Sequence, residues 1–332
     1  MTKHITRQLA GWTASLVALA ATASAEVKIN DYLSLSGYAA AAGTITDTTP
    51  AANPKDTLFN SGFGNLDSAL FAVNGKYKGF SSKVSLFYVP ARGSDNSGIL
   101  DAYVSYTAGD FTVTAGKFLS YLGYESFYAA NMNQLTYGST IADIPGYHTG
   151  AKVDYATKDF AAGVAVVDSL FGGAGFNQGD GDFGEVGTEA YISYTGIDKL
   201  TIFEGIGYGD QDNDAVDSFV NDLWVSYAAT DKLTLAAEYT YRSANAANKN
   251  NGWLLFGQYL FTDKFSAIAR VSGIKNKGGD AGTNFTIAPS YKVTGNLTLR
   301  GEISYADSAE GDSVTNGTAK GAFYGVQALF TF

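Results

Sequence analysis

Two kinds of connection alternate along this chain, and that alternation restricts it to very few folds. Segments of about ten residues with strict apolar/polar alternation recur throughout, the pattern of half-buried β-strands. Every second connection is a tight turn, built around Lys78-Gly79, Gly109-Asp110, Lys158-Asp159, Gly196-Ile197-Asp198, Thr230-Asp231-Lys232, Thr262-Asp263-Lys264 and Thr294-Gly295-Asn296. These residue types favour turns through their own hydrogen bonds and φ preferences. Between them lie longer polar stretches at 45–64, 90–98, 116–150, 169–185, 210–216, 243–250, 274–282 and 307–319. Seven turns and eight long loops join sixteen strands. Both chain ends then fall on the short-turn side, so the first and last strands can pair and close a barrel. Short turns at one end and long loops at the other, with an even strand number, describe a transmembrane β-barrel.

The ends and the composition agree. Lys3 and Arg7 precede a short apolar run from Trp12 to Ala21, and Ala23-Ser24-Ala25 reads as a cleavage site. An export signal over 1–25 is expected, with the mature chain beginning at Glu26. No downstream apolar run reaches the roughly 18 residues that a spanning helix needs. Loss of Lys3 and Arg7 takes the formal net charge from −10 to −12. So acidic a chain is a poor match for nucleic acid, whose binding rests on Lys and Arg. Absence of cysteine removes disulfides, thiolate metal sites and a Cys nucleophile.

Side-chain parity assigns the faces. The phrases LDAYVSY, TEAYISY and NDLWVSY place Ala102, Val104, Tyr106, Ala190, Ile192, Tyr194, Leu223, Val225 and Tyr227 toward lipid. The same parity sends Asp101, Tyr103, Ser105, Glu189, Tyr191, Ser193, Asp222, Trp224 and Ser226 toward a watery lumen. The strand from Leu200 breaks the rule, because Glu204 shares a face with Ile202 and Ile206; a bulge or a facing error is expected there. Lumen charges come out as Lys76, Lys83, Lys152, Arg270, Arg300 and, at the rim, Arg242, against Asp101, Asp154, Glu189, Asp222, Glu238 and Glu302. Six against six predicts a wall without strong ion selectivity. Two readings stand: an eyelet field across the pore, or a wet wall whose charges merely hold water, with the second preferred.

The stretch GKFLSYLGYESFYAANMNQLTYGSTIADIPGYHTG, from Gly116 to Gly150, lacks strand periodicity and is too aromatic for a solvated tail. It is expected to fold into the barrel and narrow it, with Lys117, Glu125, Asp143 and His148 at the constriction. Acids at Asp180, Asp182, Glu185, Asp210, Asp212 and Asp214 would bias the mouth toward cations at low salt. The run from Asp210 resembles a calcium loop only superficially, since its sixth position is Ala215 and its twelfth Asn221; no metal or cofactor is expected. His148 is the sole histidine of the expected mature chain; Ser120 or Ser139 could approach it, yet no motif supplies the orienting third group and oxyanion hole that a hydrolase needs. No enzymatic activity is expected.

The last strand, FYGVQALFTF, ends on an aromatic carboxy terminus and resembles the closing strand of bacterial outer-membrane barrels, which the assembly machinery reads. Gly116-Lys117-Phe118, Gly123-Tyr124-Glu125, Asn131 or Asn133, Ser139 and Thr149-Gly150 are similar to the pattern of the OmpL-like β-barrel porin family. That resemblance implies an outer-membrane channel for passive diffusion of small hydrophilic solutes or ions. Lipids and lipopolysaccharide would be its surroundings, a homotrimer its possible assembly, and residues 119–145 of the 26–332 barrel its constriction loop. A plugged barrel serving as adhesin or anchor, or a secreted soluble β protein, is the alternative.

Overall fold

A computed structural model describes residues 26–49, 67–89, 97–171, 186–209, 217–243, 249–276, 281–307 and 320–332. The expected signal over 1–25, the loop acids Asp180, Asp182, Glu185, Asp210, Asp212 and Asp214, and with them the first positions of the calcium-like run, lie outside them. Sixteen antiparallel strands form the wall. They are β1 (Leu33–Thr49), β2 (Ser68–Tyr77), β3 (Phe80–Tyr88), β4 (Ser97–Ala108), β5 (Phe111–Leu119), β6 (Tyr147–Ala156), β7 (Phe160–Val167) and β8 (Gly187–Tyr194). After these come β9 (Leu200–Gly209), β10 (Ser218–Ala228), β11 (Leu233–Ser243), β12 (Lys249–Leu260), β13 (Phe265–Asn276), β14 (Ala281–Lys292), β15 (Leu297–Asp307) and β16 (Lys320–Thr331). A two-residue bridge, Val27–Lys28, pairs with Ser34 and Leu35 beside the first turn.

Each strand pairs with its sequence neighbours, and β16 pairs with β1 from Lys320 opposite Thr49 to Thr331 opposite Tyr38, so the sheet closes. Closure removes the unpaired edge that hydrocarbon would not tolerate. All seven tight turns fall where their residues predict. Lys78 and Gly79 carry the positive φ of a two-residue hairpin turn, +44° and +86°.

The outward face is apolar, with Val104, Tyr106, Ile192, Tyr194, Leu223 and Tyr227 exposed, while Asp101, Ser105, Glu189, Ser193, Asp222 and Trp224 point inward and are buried. Among the described residues the register of the wall shifts once, between β3 and β4. The register shifts between Val84 and Leu86, and Leu100 and Asp101 are both buried, so the bulge turns two successive side chains toward the lumen. The irregularity expected at Glu204 is absent. Strand β9 runs in continuous register with both β8 and β10, and Glu204 does face outward.

The seam is locked by the last residue. Gly37 N–H donates to the Phe332 carbonyl at 2.8 Å, and Phe332 N–H donates back to the Gly37 carbonyl at 3.0 Å. The Phe332 ring lies over the space left by the missing Gly37 side chain, near Phe71 and Phe330 at centroid distances of 6.4 and 6.3 Å. A Cβ at Gly37 would stand 2.1 Å from the Leu70 carbonyl oxygen and 2.8 Å from that ring. Gly37→Val is expected to cost about 1–3 kcal/mol, the usual range for overpacking, as a lowered urea midpoint of the refolded barrel in lipid vesicles. An unchanged midpoint would rule out this lock.

Candidate functional site

Between β5 and β6 the chain leaves the wall for residues 120–146. Its two feet are tied together by Ser120 N–H donating to the Gly146 carbonyl at 2.8 Å, continuing the pairing of Leu119 with Tyr147. The outgoing arm then crosses the inner faces of β8, β10 and β11. Tyr121 N–H donates to Glu189 at 3.1 Å, Gly123 N–H to Asp222 at 2.6 Å and Tyr124 N–H to Glu238 at 2.7 Å. Three wall carboxylates thus take three nearly consecutive backbone donors, none of which has a strand or helix partner.

Farther along, Phe127 and Tyr128 reach the opposite wall. Phe127 packs against Phe87, and the Tyr128 hydroxyl donates to Asp101 at 2.9 Å. A 3-10 turn at Ala129–Asn131 offers the Ala129 carbonyl to Arg300 at 2.8 Å. The returning arm repeats the scheme. Leu135 and Thr136 N–H groups both donate to Glu302, at 2.6 and 3.0 Å, and Arg270 donates to the Thr136 carbonyl at 2.7 Å. A second 3-10 turn, Ser139–Asp143, sits on β11, β12 and β13. There Thr140 donates to Glu238 at 2.6 Å and Arg242 to the Ala142 carbonyl at 2.9 Å.

Apolar side chains of the segment fill sockets in the wall. Leu122 and Tyr124 pack with Phe203, Trp224 and Phe256, and Leu135 packs with Ala42, Ala306 and Phe323. Lumen-facing glycines make the room: a Cβ at Gly205 would stand 2.2 Å from Leu122, and one at Gly325 would stand 2.7 Å from Leu135. Alternation along β9 and β16 puts Phe203 and Phe323 on the lumen side, an odd choice for a water-filled wall. The run EGIGYG likewise put Gly205, Gly207 and Gly209 on one inner stripe. Those bulky and missing side chains are the sequence trace of the sockets.

The residues expected at the constriction divide. Glu125 pairs with Arg270 at 2.7 Å and also accepts the Gly138 N–H. Asp143 accepts from Thr240 at 2.7 Å and Asn250 at 3.1 Å. His148 lies at the root, with Nε2 3.0 Å from Glu189 and Nδ1 2.8 Å from the Ser169 carbonyl. Ser120 also donates to Glu189, at 2.6 Å, so serine and histidine meet on the carboxylate rather than on each other. Lys117 departs from expectation. It stands opposite Ala102 and Thr149 on the outward register, because parity from inward Phe118 and Thr114 turns it away from the lumen.

The wall charges depart too. Glu189, Asp222, Glu238, Arg270, Arg300 and Glu302 are each 6% exposed or less, so at this depth they line no water. Lys83 pairs with Asp101 at 2.9 Å beneath the Tyr128 ring, and Lys152 lies against the rings of Phe118 and Tyr121 at 4.8 and 4.5 Å. Asp154 accepts a long bond from Tyr191 at 3.4 Å. Toward the short turns the inner face opens again, where Ser34, Ser36, Asn74, Lys76 and Lys83 keep partial or full exposure. On the short-turn side of the segment this leaves a polar vestibule.

Known proteins share this architecture. The anion-selective porin from Comamonas acidovorans superposes with a TM-score of 0.69 at 14% identity, over 90% of this chain and 99% of that one. OmpF of Salmonella typhi, in complex with daunomycin, gives 0.67 at 13%, over 92% and 100%. A trimer form of Vibrio cholerae OmpT gives 0.58 at 14%, over 91% and 100%. At such identities the likeness is one of fold. Among curated proteins no match is found. The family described as "Putative beta-barrel porin-2, OmpL-like" matches residues 60–332, from before β2 through the terminal Phe332. A closed sixteen-stranded wall with an apolar outer belt, carried by that family match, makes the chain a member of the OmpL-like β-barrel porins, passive channels of the bacterial outer membrane.

Proposed function

We propose that residues 120–146 are the constriction of this channel and that the wall charges hold them in place instead of filtering ions. The supporting observation is the bonding of the segment's backbone: Glu189, Asp222, Glu238 and Glu302 accept its N–H groups, while Arg242, Arg270 and Arg300 donate to its carbonyls. Each such charge-assisted bond is worth about 1.5–3 kcal/mol, and none depends on the segment's side chains. Small hydrophilic solutes would enter the vestibule and meet a size limit at the segment. The burial of the wall charges also favours a second reading, a barrel plugged at this depth that acts as an anchor or adhesin.

The same proposal covers the surroundings. The exposed apolar belt suits lipid and lipopolysaccharide, and the closing strand with Phe332 suits recognition by the assembly machinery. A homotrimer finds support in the trimer form of one structural relative. Catalysis is not part of the reading, since Ser120 and His148 both bond Glu189.

Single-channel conductance in a planar bilayer tests the constriction. Replacement of residues 120–143 by a short Gly/Ser linker is expected to raise conductance several-fold over the parent. If both proteins insert and neither conducts, the plugged barrel takes its place.

A pair of substitutions separates holding from filtering. Glu302→Gln keeps an oxygen for the Leu135 and Thr136 N–H groups, and its size cut-off for polymer exclusion should stay near that of the parent. Glu302→Ala removes the acceptor and should enlarge the cut-off. Were both variants to shift the reversal potential equally with no change in size limit, Glu302 would be an ion filter.

A further inference from the structure

Glu204 is an acidic side chain on the wrong side of the wall for a water-filled barrel. Its strand shows no bulge, and the register on both flanks holds it outward, between Ile192 of β8 and Leu223 of β10. Along β9 it lies between Leu200, which pairs with Tyr227 at the short-turn girdle, and Tyr208, which pairs with Phe219 at the opposite girdle. It therefore sits near the middle of the apolar belt. Intramembrane acids are rare without a partner that supplies hydrogen bonds.

One partner is present. The Asn221 amide, outward-facing on β10, donates to Glu204 Oε1. This bond uses one oxygen of the carboxyl group and one N–H of the amide. Among the described residues the second N–H, the Asn221 side-chain carbonyl and Glu204 Oε2 have no hydrogen-bond partner, and they face a medium that offers none. Both side chains are half-buried.

We propose that this pair is a contact site between two copies of the chain, related by a two-fold axis along the membrane normal. The chemistry selects a second copy. Two barrels facing each other across such an axis reverse their lateral order, so the Asn221 amide of each copy meets the Glu204 carboxyl of the other. Four side chains then exchange donors and acceptors in a closed, self-complementary set, as an isologous interface requires. Polar side chains act in the same way as glue between membrane segments elsewhere. The contact differs from a head-to-tail trimer contact and does not depend on how the lumen conducts.

The chain has no cysteine, so one introduced residue reports proximity without background. Leu223→Cys stands directly opposite Glu204, and Leu299→Cys stands on the outer face of β15, away from the pair. Membranes carrying each variant are oxidised and run without reductant, with heat-modifiability verifying that the barrel is folded. The expected result is a disulfide-linked dimer at Leu223→Cys at least ten-fold above that at Leu299→Cys. Adding Glu204→Leu should abolish the excess, and adding Glu204→Gln, which keeps the hydrogen-bonding set, should restore most of it. Equal cross-linking at the two sites would overturn the proposal and leave lipid as what covers the pair. An excess indifferent to Glu204→Leu would overturn it as well, and so would an excess captured by a different protein. If Glu204→Leu fails to fold, the comparison of the two cysteine sites still decides.

Discussion

Backbone polar groups at membrane depth must find partners inside the protein, and this constraint organises the molecule. The strands meet it by closing the ladder from β1 to β16. Residues 120–146 cannot, because they pass through the same depth without strand or extended helical bonding. Irregular backbone there survives only where it is buried in protein or lines a water-filled cavity. This barrel supplies the protein side of that bargain with charged side chains: carboxylates for the N–H groups and guanidinium groups for the carbonyls. A carboxylate suits the task because its two oxygens can take several donors, and Glu302 takes two N–H groups and two hydroxyls.

Such a design explains which parts of the sequence could be read. Strand number, turn positions and facing follow from side-chain parity and from turn residues, both local properties, so they were legible. The inward course of the segment was legible too, since Phe127, Tyr128 and Leu135 could not stay in water. What the wall charges do was not legible, because a glutamate bound to backbone amides and a glutamate bound to water occupy the same parity position. Lys117 failed for a smaller reason. It was placed by nearness to the segment's foot, whereas its own parity with Phe118 already turned it outward.

The misreading at Glu204 has a different character. Alternation predicted its face correctly, and the expectation of a bulge came from distrust of an acid in lipid. The actual bulge, at Leu100 and Asp101, had no such marker: parity with Ala102 puts Leu100 on the lipid face, where an apolar side chain raises no conflict, and the nearest glycine, Gly98, lies two residues before it. Composition alone cannot distinguish a broken alternation from a deliberate polar residue on the outer face. The partner strand can, because Asn221 two positions from Leu223 supplies the amide that makes Glu204 tolerable.

Counting lumen charges is consequently a poor guide to what this channel passes. Of the six acids and six bases assigned to the wall by parity, Glu189, Asp222, Glu238 and Glu302 are directed at the segment's amides, and Arg242, Arg270 and Arg300 at its carbonyls. Asp101 is paired with Lys83 and Tyr128. An ion in transit can exchange its hydration shell only with groups that it can touch, and buried partners of backbone amides are not among them. The segment's own acids are also enclosed, Glu125 by Arg270 and Asp143 by Thr240 and Asn250. Under the proposed constriction, contact chemistry falls to the vestibule, where Lys76 and Lys83 keep some exposure beside hydroxyl and amide side chains. On the proposed reading, discrimination at the segment rests on width, and width is set by how firmly seven charged side chains hold a stretch of backbone.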